Sequence, residues 1–268
     1  RPEPQTDDDG DPVPGELVIA IIVDSRIHIR ATSNQTTSDA VVDGGIADTG
    51  TVYVDVIQLR DIVRLLSGEL TVYRTDTGVC IECPRTFIKV PHAAPANGDM
   101  ELPPPRGTIV PFLLPDILRR ASRSAATDDS RYGLNGVYLD SEDGKLRAVA
   151  TNGHVLTIVS ECDTPAGFIP CLLPLTCRHV DGGEAELWIQ PYNGTNKRQV
   201  YMVRIVSGHR TIYMSPSTDD FPDYRQVMPR GHRVAAMVPA ATLHEAVRLC
   251  ATVSSRRTRL ISLAFDKC

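Results

Sequence analysis

Short apolar runs rich in Val, Ile and Leu recur along the chain and have the length of β-strands. They cover residues 17–23, 70–74, 186–190 and 200–205. Runs of about four to eight such residues between turn-forming segments are typical of strands. The pattern therefore predicts a strand-rich protein in which a few helices separate groups of strands.

Four other segments carry apolar residues at the spacing of an amphipathic helix. They are residues 115–124, 56–66, a stretch after residue 239, and a weaker segment at 170–180. Pro115 suits the first turn of its helix. The positions predicted to be buried are Leu114, Ile117, Leu118 and Ala121; Leu59, Ile62, Val63 and Leu66; and Leu243, Ala246, Val247 and Cys250.

The outward faces of these helices are basic. The arginines concerned are Arg60 and Arg64 on the helix at 56–66, Arg119, Arg120 and Arg123 on the helix at 115–124, and Arg256, Arg257 and Arg259 after the last helix. Taken alone, such a run is as consistent with a solvated face as with a binding surface. Recurrence on several helices favours a shared surface, because equivalent helices of repeated domains stacked around a ring would line the same hole.

An internal repeat with a period of about 120 residues underlies this recurrence. Residues 24–32 align with residues 143–151, and in both copies a turn is followed by a strand that ends in Ala-Thr. A third, partial copy is predicted near the end of the sequence, where residues 260–265 resemble the strand at 136–139. Each copy is predicted to contain a strand, a helix and several further strands.

Length and charge narrow the class of protein. The chain has 268 residues, which predicts two domains or two and a fraction. A hydrophobic content of 42% with 23% charged residues is that of a soluble globular protein. The net charge of −5 argues against a protein that binds nucleic acid with its whole surface. A local basic lining stays open, because charges are screened beyond about 10 Å.

No apolar run approaches the roughly 20 residues that a membrane span needs. Residues 1–15 are rich in Pro and Asp, without the apolar core of a signal peptide, so we expect a cytoplasmic protein. The sequence contains no G-x-S-x-G, H-E-x-x-H or Walker A pattern, and His154 and Cys162 lack an obvious third catalytic partner. We therefore expect a protein that is not an enzyme and that needs no cofactor.

Seven cysteines are too few and too odd in number for a disulfide framework, so we expect reduced thiols. Cys80 and Cys83 have C-x-x-C spacing, but residues 78–82 are predicted to form a strand. Residues three apart on a strand point to opposite faces, which argues against a zinc site there.

Three motifs lie in order within the repeat framework. They are R-Y-G-L-N-G-V at residues 131–137, V-A-T-N-G-H-V-L at residues 149–156 and F-P-D-Y-R-Q-V-M-P at residues 221–229. They resemble the segments R-Y-x-L-N-G, V-A-T-D-G-H-R-L and F-P-D-Y-R-R-V-x-P of the bacterial DNA polymerase III beta sliding clamp family. The resemblance covers nearly the whole chain from about residue 15, and it is best within residues 107–230.

The resemblance implies an α+β protein with the DNA-clamp fold, in which repeated domains of antiparallel β-sheet carry paired helices that line a ring. It divides the chain into an acidic tail at 1–15, a first domain at 16–106, a complete second domain at 107–230 and the start of a third at 231–268. Relative to the family, the first domain lacks its opening strand and helix. Residues 234–252 are expected either to dock against a neighbouring protomer or to be loosely ordered.

The resemblance also implies two kinds of site. An apolar pocket for short linear motifs of polymerase and clamp-loader subunits would be lined by Leu134, Thr151, Gly153, His154, Leu156, Pro222 and Val227. Sequence-independent contacts to double-stranded DNA would come from Arg131 and Tyr132 together with Arg119, Arg120, Arg123, Arg60, Arg64, Arg256 and Arg257.

The sequence departs from the family pattern at four motif positions. Asn152 replaces Asp, Val155 and Gln226 replace Arg, and Gly133 replaces a frequent Tyr. Asn135-Gly136 and Asn152-Gly153 are also turn formers that tolerate positive φ, so a role in loop shape stays open beside any role in binding.

Two functions follow from this pattern. The first is a processivity factor of the replicative polymerase that encircles DNA as a head-to-tail ring of its own copies. The alternative is a clamp-derived interaction module that binds partner peptides or other clamps without encircling DNA.

Overall fold

The structure is a computed structural model that describes residues 18–33, 35–93, 102–113, 116–128, 132–179, 183–191, 197–229, 231, 237–253 and 261–263. The strands are β1 Val18–Val23, β2 Ile27–Thr32, β3 Thr36–Val42, β4 Gly50–Asp55, β5 Thr71–Thr75, β6 Gly78–Cys83, β7 Thr86–Pro91, β8 Thr108–Leu113, β9 Gly136–Glu142, β10 Lys145–Thr151, β11 Leu156–Asp163, β12 Cys171–Pro174, β13 Glu184–Pro191, β14 Arg198–Ser207 and β15 Arg210–Met214. The α-helices are α1 Val56–Val63, α2 Ile117–Ala121 and α3 Ala240–Val253, and the 3₁₀ helices are Ser122–Ser124, Tyr132–Leu134, Leu175–His179 and Tyr224–Val227.

These elements belong to two compact units. The described residues up to Phe221 form the first unit, and those from Pro222 onward form the second. The division at 16–106, 107–230 and 231–268 inferred from the sequence stays a proposal. The acidic tail at 1–15 lies outside the described residues.

An eight-stranded antiparallel sheet runs through the first unit in the order β4-β1-β2-β3-β15-β14-β13-β8. The pairing of β3 with β15 joins the two copies of the repeat, since Ala40 lies opposite Arg210 and Thr36 opposite Met214. The sheet is therefore continuous across the boundary expected near residue 107. Two smaller antiparallel sheets have the orders β11-β10-β9-β12 and β5-β6-β7.

Alternation along the strands builds the main core between the sheets and α2. Leu187 on β13, Val203 on β14 and Met214 on β15 point to the same side, and each is at most 1% exposed. They pack with Leu139 and Leu146 of the four-stranded sheet and with residues of α2. The strands predicted at 17–23, 70–74, 186–190 and 200–205 correspond to β1, β5, β13 and β14, which confirms them.

The opposite face of the eight-stranded sheet carries polar and aromatic side chains. Trp188 and Tyr213 meet edge to face with ring centroids 5.9 Å apart, and Met202 completes their cluster. Beside them, Arg30 on β2 binds Asp39 on β3 through Nε and Oδ1 at 2.9 Å, and both residues are buried. Because a buried charge is tolerated only with a partner, this ion pair constrains the register of β2 and β3.

Helix α1 begins as predicted but ends earlier. Asp55 caps it by accepting a hydrogen bond from the backbone N–H of Gln58 at 2.8 Å, and Leu59 is buried. The chain then tightens, since Leu65 and Leu66 donate backbone hydrogen bonds to residues three positions back. This turn leaves Val63 43% exposed, so its predicted burial is wrong.

The predicted helix at 170–180 is also wrong in its first half. Residues Cys171–Pro174 form β12, which pairs with β9, and only Leu175–His179 are helical, as a 3₁₀ helix. The backbone of β12 gains cross-strand partners along β9 that a helix would not provide. Cys177 is buried in the main core and anchors the short helix.

Helix α3 of the second unit confirms the predicted helix but not its predicted buried face. Leu243 is 39% exposed and Val247 38% exposed, and Ala246 and Cys250 are exposed as well. The residues that the structure describes do not cover this face. Half of the strand predicted at 260–265 lies outside them, and residues 261–263 are not in a strand.

Two further sequence expectations concern cysteines and membranes. Cys80 and Cys83 lie on β6, as the predicted strand requires, and the six described cysteines are free. No helix within the described ranges is long and apolar enough to cross a bilayer.

Candidate functional site

Helix α2 places three arginines on its outer face, as the spacing predicted. Ile117, Leu118 and Ala121 are at most 1% exposed, while Arg119 and Arg120 point outward. The helix continues as a 3₁₀ turn to Ser124 and exposes Arg123. We call Arg119, Arg120 and Arg123 the α2 basic face.

Two members of the α2 basic face are held by carboxylates. Arg119 donates to both carboxylate oxygens of Asp116, each at 2.6 Å, and Arg120 pairs with Glu161 of β11. The hydrogen bond from Arg119, opposed by desolvation and reinforced by the nearby positive charges, lowers the pKa of Asp116. Within the described ranges Arg123 makes no ion pair. An anion therefore meets Arg123 directly but competes with carboxylates for the other two.

The other predicted DNA-contacting residues are distributed over the chain. On α1, Arg60 pairs with Asp61 at 2.9 Å, and Arg64 is exposed after the last helical residue. Tyr132 begins the 3₁₀ helix Tyr132–Leu134. The residues that lie outside the described part of the chain are Arg131, Arg256 and Arg257, together with Leu114, whose burial the helical spacing predicts.

Four predicted pocket residues lie at a single turn between β10 and β11. Thr151 Oγ1 donates to the carbonyl of Val155 at 2.7 Å and accepts from the N–H of Gly153 at 3.1 Å. Asn152 Oδ1 accepts from the N–H groups of His154 and Val155 at 2.9 and 3.0 Å. We call residues 151–156 the β10–β11 turn.

This bonding explains one departure from the family pattern. The acceptor for two backbone N–H groups is the side-chain oxygen of Asn152, and an amide oxygen serves as well as a carboxylate there. Gly153 has φ +88°, a conformation that favours glycine. The turn exposes His154 and leaves Leu156 half-buried at the start of β11.

The glycine of the Asn135-Gly136 pair is needed for a different reason from Gly153. Gly136 begins β9, and a Cβ atom there would lie 2.3 Å from the carbonyl oxygen of Leu173 on β12. Glycine is therefore required by the close approach of two strands. Gly136 is not among the positive-φ residues of the described chain, so the close approach of β12, rather than a left-handed turn, explains the glycine at this position.

Close packing also accounts for Gly133. A Cβ atom there would lie 2.7 Å from the carbonyl oxygen of Asp220, so the backbone at Asp220 occupies the space that a side chain would need. Nearby, Phe221 stacks on Tyr138 with ring centroids 5.0 Å apart. The segment before the second unit is thus fixed to the four-stranded sheet.

Within the motif at residues 221–229, a 3₁₀ helix spans Tyr224–Val227. Asp223 accepts hydrogen bonds from the N–H of Arg225 and from Nε2 of Gln226, both at 3.2 Å. Tyr224 is buried beneath the guanidinium of Arg225, which lies 4.7 Å from its ring centroid. Pro222 is exposed, and Val227 is 70% exposed.

The predicted pocket is therefore only partly assembled by contacts within the first unit. The β10–β11 turn unites Thr151, Gly153, His154 and Leu156, whereas Leu134 lies in the 3₁₀ helix Tyr132–Leu134 and accepts a backbone hydrogen bond from Ala126. Pro222 and Val227 belong to the second unit.

Sequence reasoning missed two cavities. One, of about 260 Å³, is lined by Glu184, Glu186 and Arg204 among others. The second, of about 200 Å³, brings His179 together with His209 and Arg210. Each cavity is lined by side chains from segments that are distant in the sequence, so no local pattern could predict it. Among the described residues, no three His, Cys, Asp or Glu side chains are placed to hold a metal ion.

Comparison with known proteins gives a consistent result, although no protein-family model matches the chain. It is 24% identical to the beta sliding clamp of Haemophilus influenzae over 93% of this chain and 70% of that protein. It is 30% identical to the beta sliding clamps of Caulobacter vibrioides and Escherichia coli, over 53% and 58% of this chain. The chain spans only 39% and 43% of those two relatives.

Solved structures give the same fold. The DNA polymerase III subunit beta of Pseudomonas aeruginosa has a TM-score of 0.66 at 22% identity, over 90% of this chain and 68% of that one. The sliding clamp of Bartonella birtlesii bound to griselimycin has a TM-score of 0.69 at 22% identity, over 90% of this chain and 67% of that one. The predicted α+β DNA-clamp fold, built from antiparallel sheets, is thus confirmed.

Proposed function

We propose that this chain, which belongs to the bacterial beta sliding clamp family, is a replication processivity factor that encircles duplex DNA and docks polymerase and clamp-loader subunits. The observation that carries the proposal is the eight-stranded sheet shared by two copies of the repeat. A continuous sheet is a rigid frame, and it suits a ring in which domains follow one another around a hole. The division into domains at 16–106, 107–230 and 231–268 is part of the same proposal.

Processivity of this kind comes from topology, so the contacts with DNA need only be weak and independent of sequence. Arginines on a helix surface meet that need, because phosphate contacts position a protein without reading bases. The α2 basic face would supply such contacts, with Arg60, Arg64, Arg131, Tyr132, Arg256 and Arg257 as further members. No step of this function requires catalysis or a cofactor, and it would take place in the cytoplasm on DNA.

One observation favours the alternative module that does not encircle DNA. Asp116 and Glu161 compensate two of the three charges of the α2 basic face, and the whole chain carries a net charge of −5. Weak attraction to DNA is compatible with either function. Retention on end-blocked DNA, described below, separates the two.

The binding part of the proposal is tested with two duplexes of equal length and unrelated sequence, using fluorescence anisotropy across a series of salt concentrations. We expect equal affinities for both duplexes, and a logarithm of affinity that falls linearly with the logarithm of salt concentration. A preference of about a hundredfold for one duplex, which is within the range of base-specific recognition, would contradict the proposal.

The peptide-docking part centres on the β10–β11 turn. Gly153→Ala forces a side chain onto a residue with φ +88°, a strain of about 1–2 kcal/mol that displaces His154 and Leu156. We expect a roughly tenfold loss of affinity for griselimycin, the ligand bound in solved clamps of other bacteria, measured by isothermal titration calorimetry.

Gly144→Ala is the matched control. Gly144 also has positive φ, +73°, in the turn between β9 and β10, and a Cβ atom there meets open space. It imposes a similar strain without touching the proposed pocket. Equal affinities of both variants would remove the β10–β11 turn from the docking site.

A further inference from the structure

The cavity that contains His179 lies where the β14–β15 hairpin projects beyond the main core. It has a volume of about 200 Å³ and is lined by His179, Gly208, His209 and Arg210 above the apolar side chains of Ile205 and Ile212. We call it the His-Arg cleft. Its mouth is polar and its floor belongs to the core.

Strand register explains why the side chain of Arg210 lines this cleft. Ile205 pairs with Ile212, and Ser207 pairs with Arg210. Since alternate residues of a strand share a face, Arg210 emerges on the core side of the sheet, two residues beyond the Ile205–Ile212 pair. On the neighbouring strand β3, the residue opposite Arg210 is Ala40, which adds no charge.

The other wall comes from the 3₁₀ helix Leu175–His179. Cys177 fixes this helix in the core, and Thr176 lies 2.8 Å from Thr36 between their hydroxyl oxygens. Arg178 donates from Nε to Nε2 of the His179 ring at 3.2 Å. The helix therefore brings His179 to the cleft with the guanidinium of Arg178 beside it.

The chemistry of the cleft suits an anion. Arg210 supplies a fork of N–H donors, and the imidazole of His209 also lines the cavity. Among the described residues, no carboxylate lines the cavity. A divalent cation would be repelled by Arg178 and Arg210. A purely apolar ligand would offer no acceptor to the guanidinium of Arg210.

We infer that the His-Arg cleft binds a phosphate group of the DNA backbone, an inference that rests on the proposed function. The 3₁₀ helix of His179 packs directly against α2 and against the turn that carries Arg123, so the cleft belongs to the same helical layer as the α2 basic face. Arg119 and Arg120 are compensated by carboxylates, whereas no described carboxylate lines the cleft. Within the described residues, the cleft and Arg123 are therefore the two phosphate contacts of this layer that no ion pair compensates.

The test is Arg210→Ala, alone and combined with His179→Gln, in the full chain. We expect Arg210→Ala to lower the slope of log affinity against log salt by about 0.9, which corresponds to one phosphate contact. Arg85→Ala is the matched control, because Arg85 is an exposed arginine between β6 and β7 and its loss changes the net charge equally. The control should keep the wild-type slope. All substituted residues are exposed, and equal Tm values check that the variants fold.

Inorganic phosphate distinguishes the source of the bound group. At constant ionic strength, phosphate should weaken DNA association of the wild type more than chloride does, and the double variant should lose this difference. A slope that Arg210→Ala leaves unchanged would overturn the inference, and a loss of phosphate sensitivity alone would assign the cleft to a free anion instead. Absence of salt-dependent DNA association in the wild type would instead contradict the proposed function, and phosphate binding to the cleft would then be measured directly.

Discussion

Replacing Asp39 with Ala should lower the free energy of unfolding by about 3–5 kcal/mol, the cost of leaving a buried charge without its partner. Asp39 Oδ1 accepts from Arg30 Nε at 2.9 Å, and Oδ2 lies 3.0 Å from Nδ1 of His28. Because Arg30 is only 9% exposed, water has little access to its guanidinium when the carboxylate is removed. Asp39 also lies on β3, the strand that joins the two repeats through β15. Its replacement should therefore destabilise the whole eight-stranded sheet.

Urea unfolding followed by circular dichroism measures this change. Asp163→Ala is the control, since it removes a carboxylate that pairs with Lys145 at 2.6 Å on the surface, where both side chains are more than half exposed. A surface pair contributes about 0–1 kcal/mol. Equal shifts for Asp39→Ala and Asp163→Ala would show that the Arg30–Asp39 pair does not stabilise the sheet.

The second large effect concerns DNA. Replacing Arg119, Arg120 and Arg123 together with Ala should lower the salt slope of DNA association by between about 0.9 and 2.7, since each neutralised phosphate contributes about 0.9 and carboxylates compensate Arg119 and Arg120 but not Arg123. The affinities for unrelated duplexes should fall equally, because contacts to phosphate carry no sequence information.

Removing the carboxylates that pair with the α2 basic face is a control with the opposite expected effect, a gain in affinity for DNA. Asp116→Asn and Glu161→Gln keep the size of each side chain but remove the charges that compensate Arg119 and Arg120. We expect this double variant to bind DNA more tightly than the wild type at low salt. If neither variant changes the slope, the α2 basic face points away from DNA.

Local patterns predicted much of this structure. The spacing of Ile117, Leu118 and Ala121 was sufficient to place three arginines on the outer face of α2, because helical periodicity fixes directions without reference to the rest of the chain. The same holds for the turn at Asn152-Gly153, where side-chain acceptors and positive φ act within five residues.

Non-local contacts explain the failures. Residues 171–174 have apolar content that suits a helix or a strand, and pairing with β9 decides between them. Glu161 neutralises Arg120 from a strand 41 residues away, which helical spacing cannot reveal. The His-Arg cleft likewise needs a hairpin and a short helix that meet only in the fold. The family motifs identified the fold, whereas the charge balance around the proposed DNA contacts required the structure.

Retention on end-blocked DNA tests the proposal of a sliding clamp most directly. The chain is mixed with a linear duplex that carries biotin at both ends, streptavidin is added to block the ends, and the salt concentration is raised to abolish phosphate contacts. A closed ring should remain on the blocked duplex through gel filtration and leave an unblocked duplex, because only topology holds it at high salt. Equal loss from blocked and unblocked DNA would contradict encirclement and favour the interaction module.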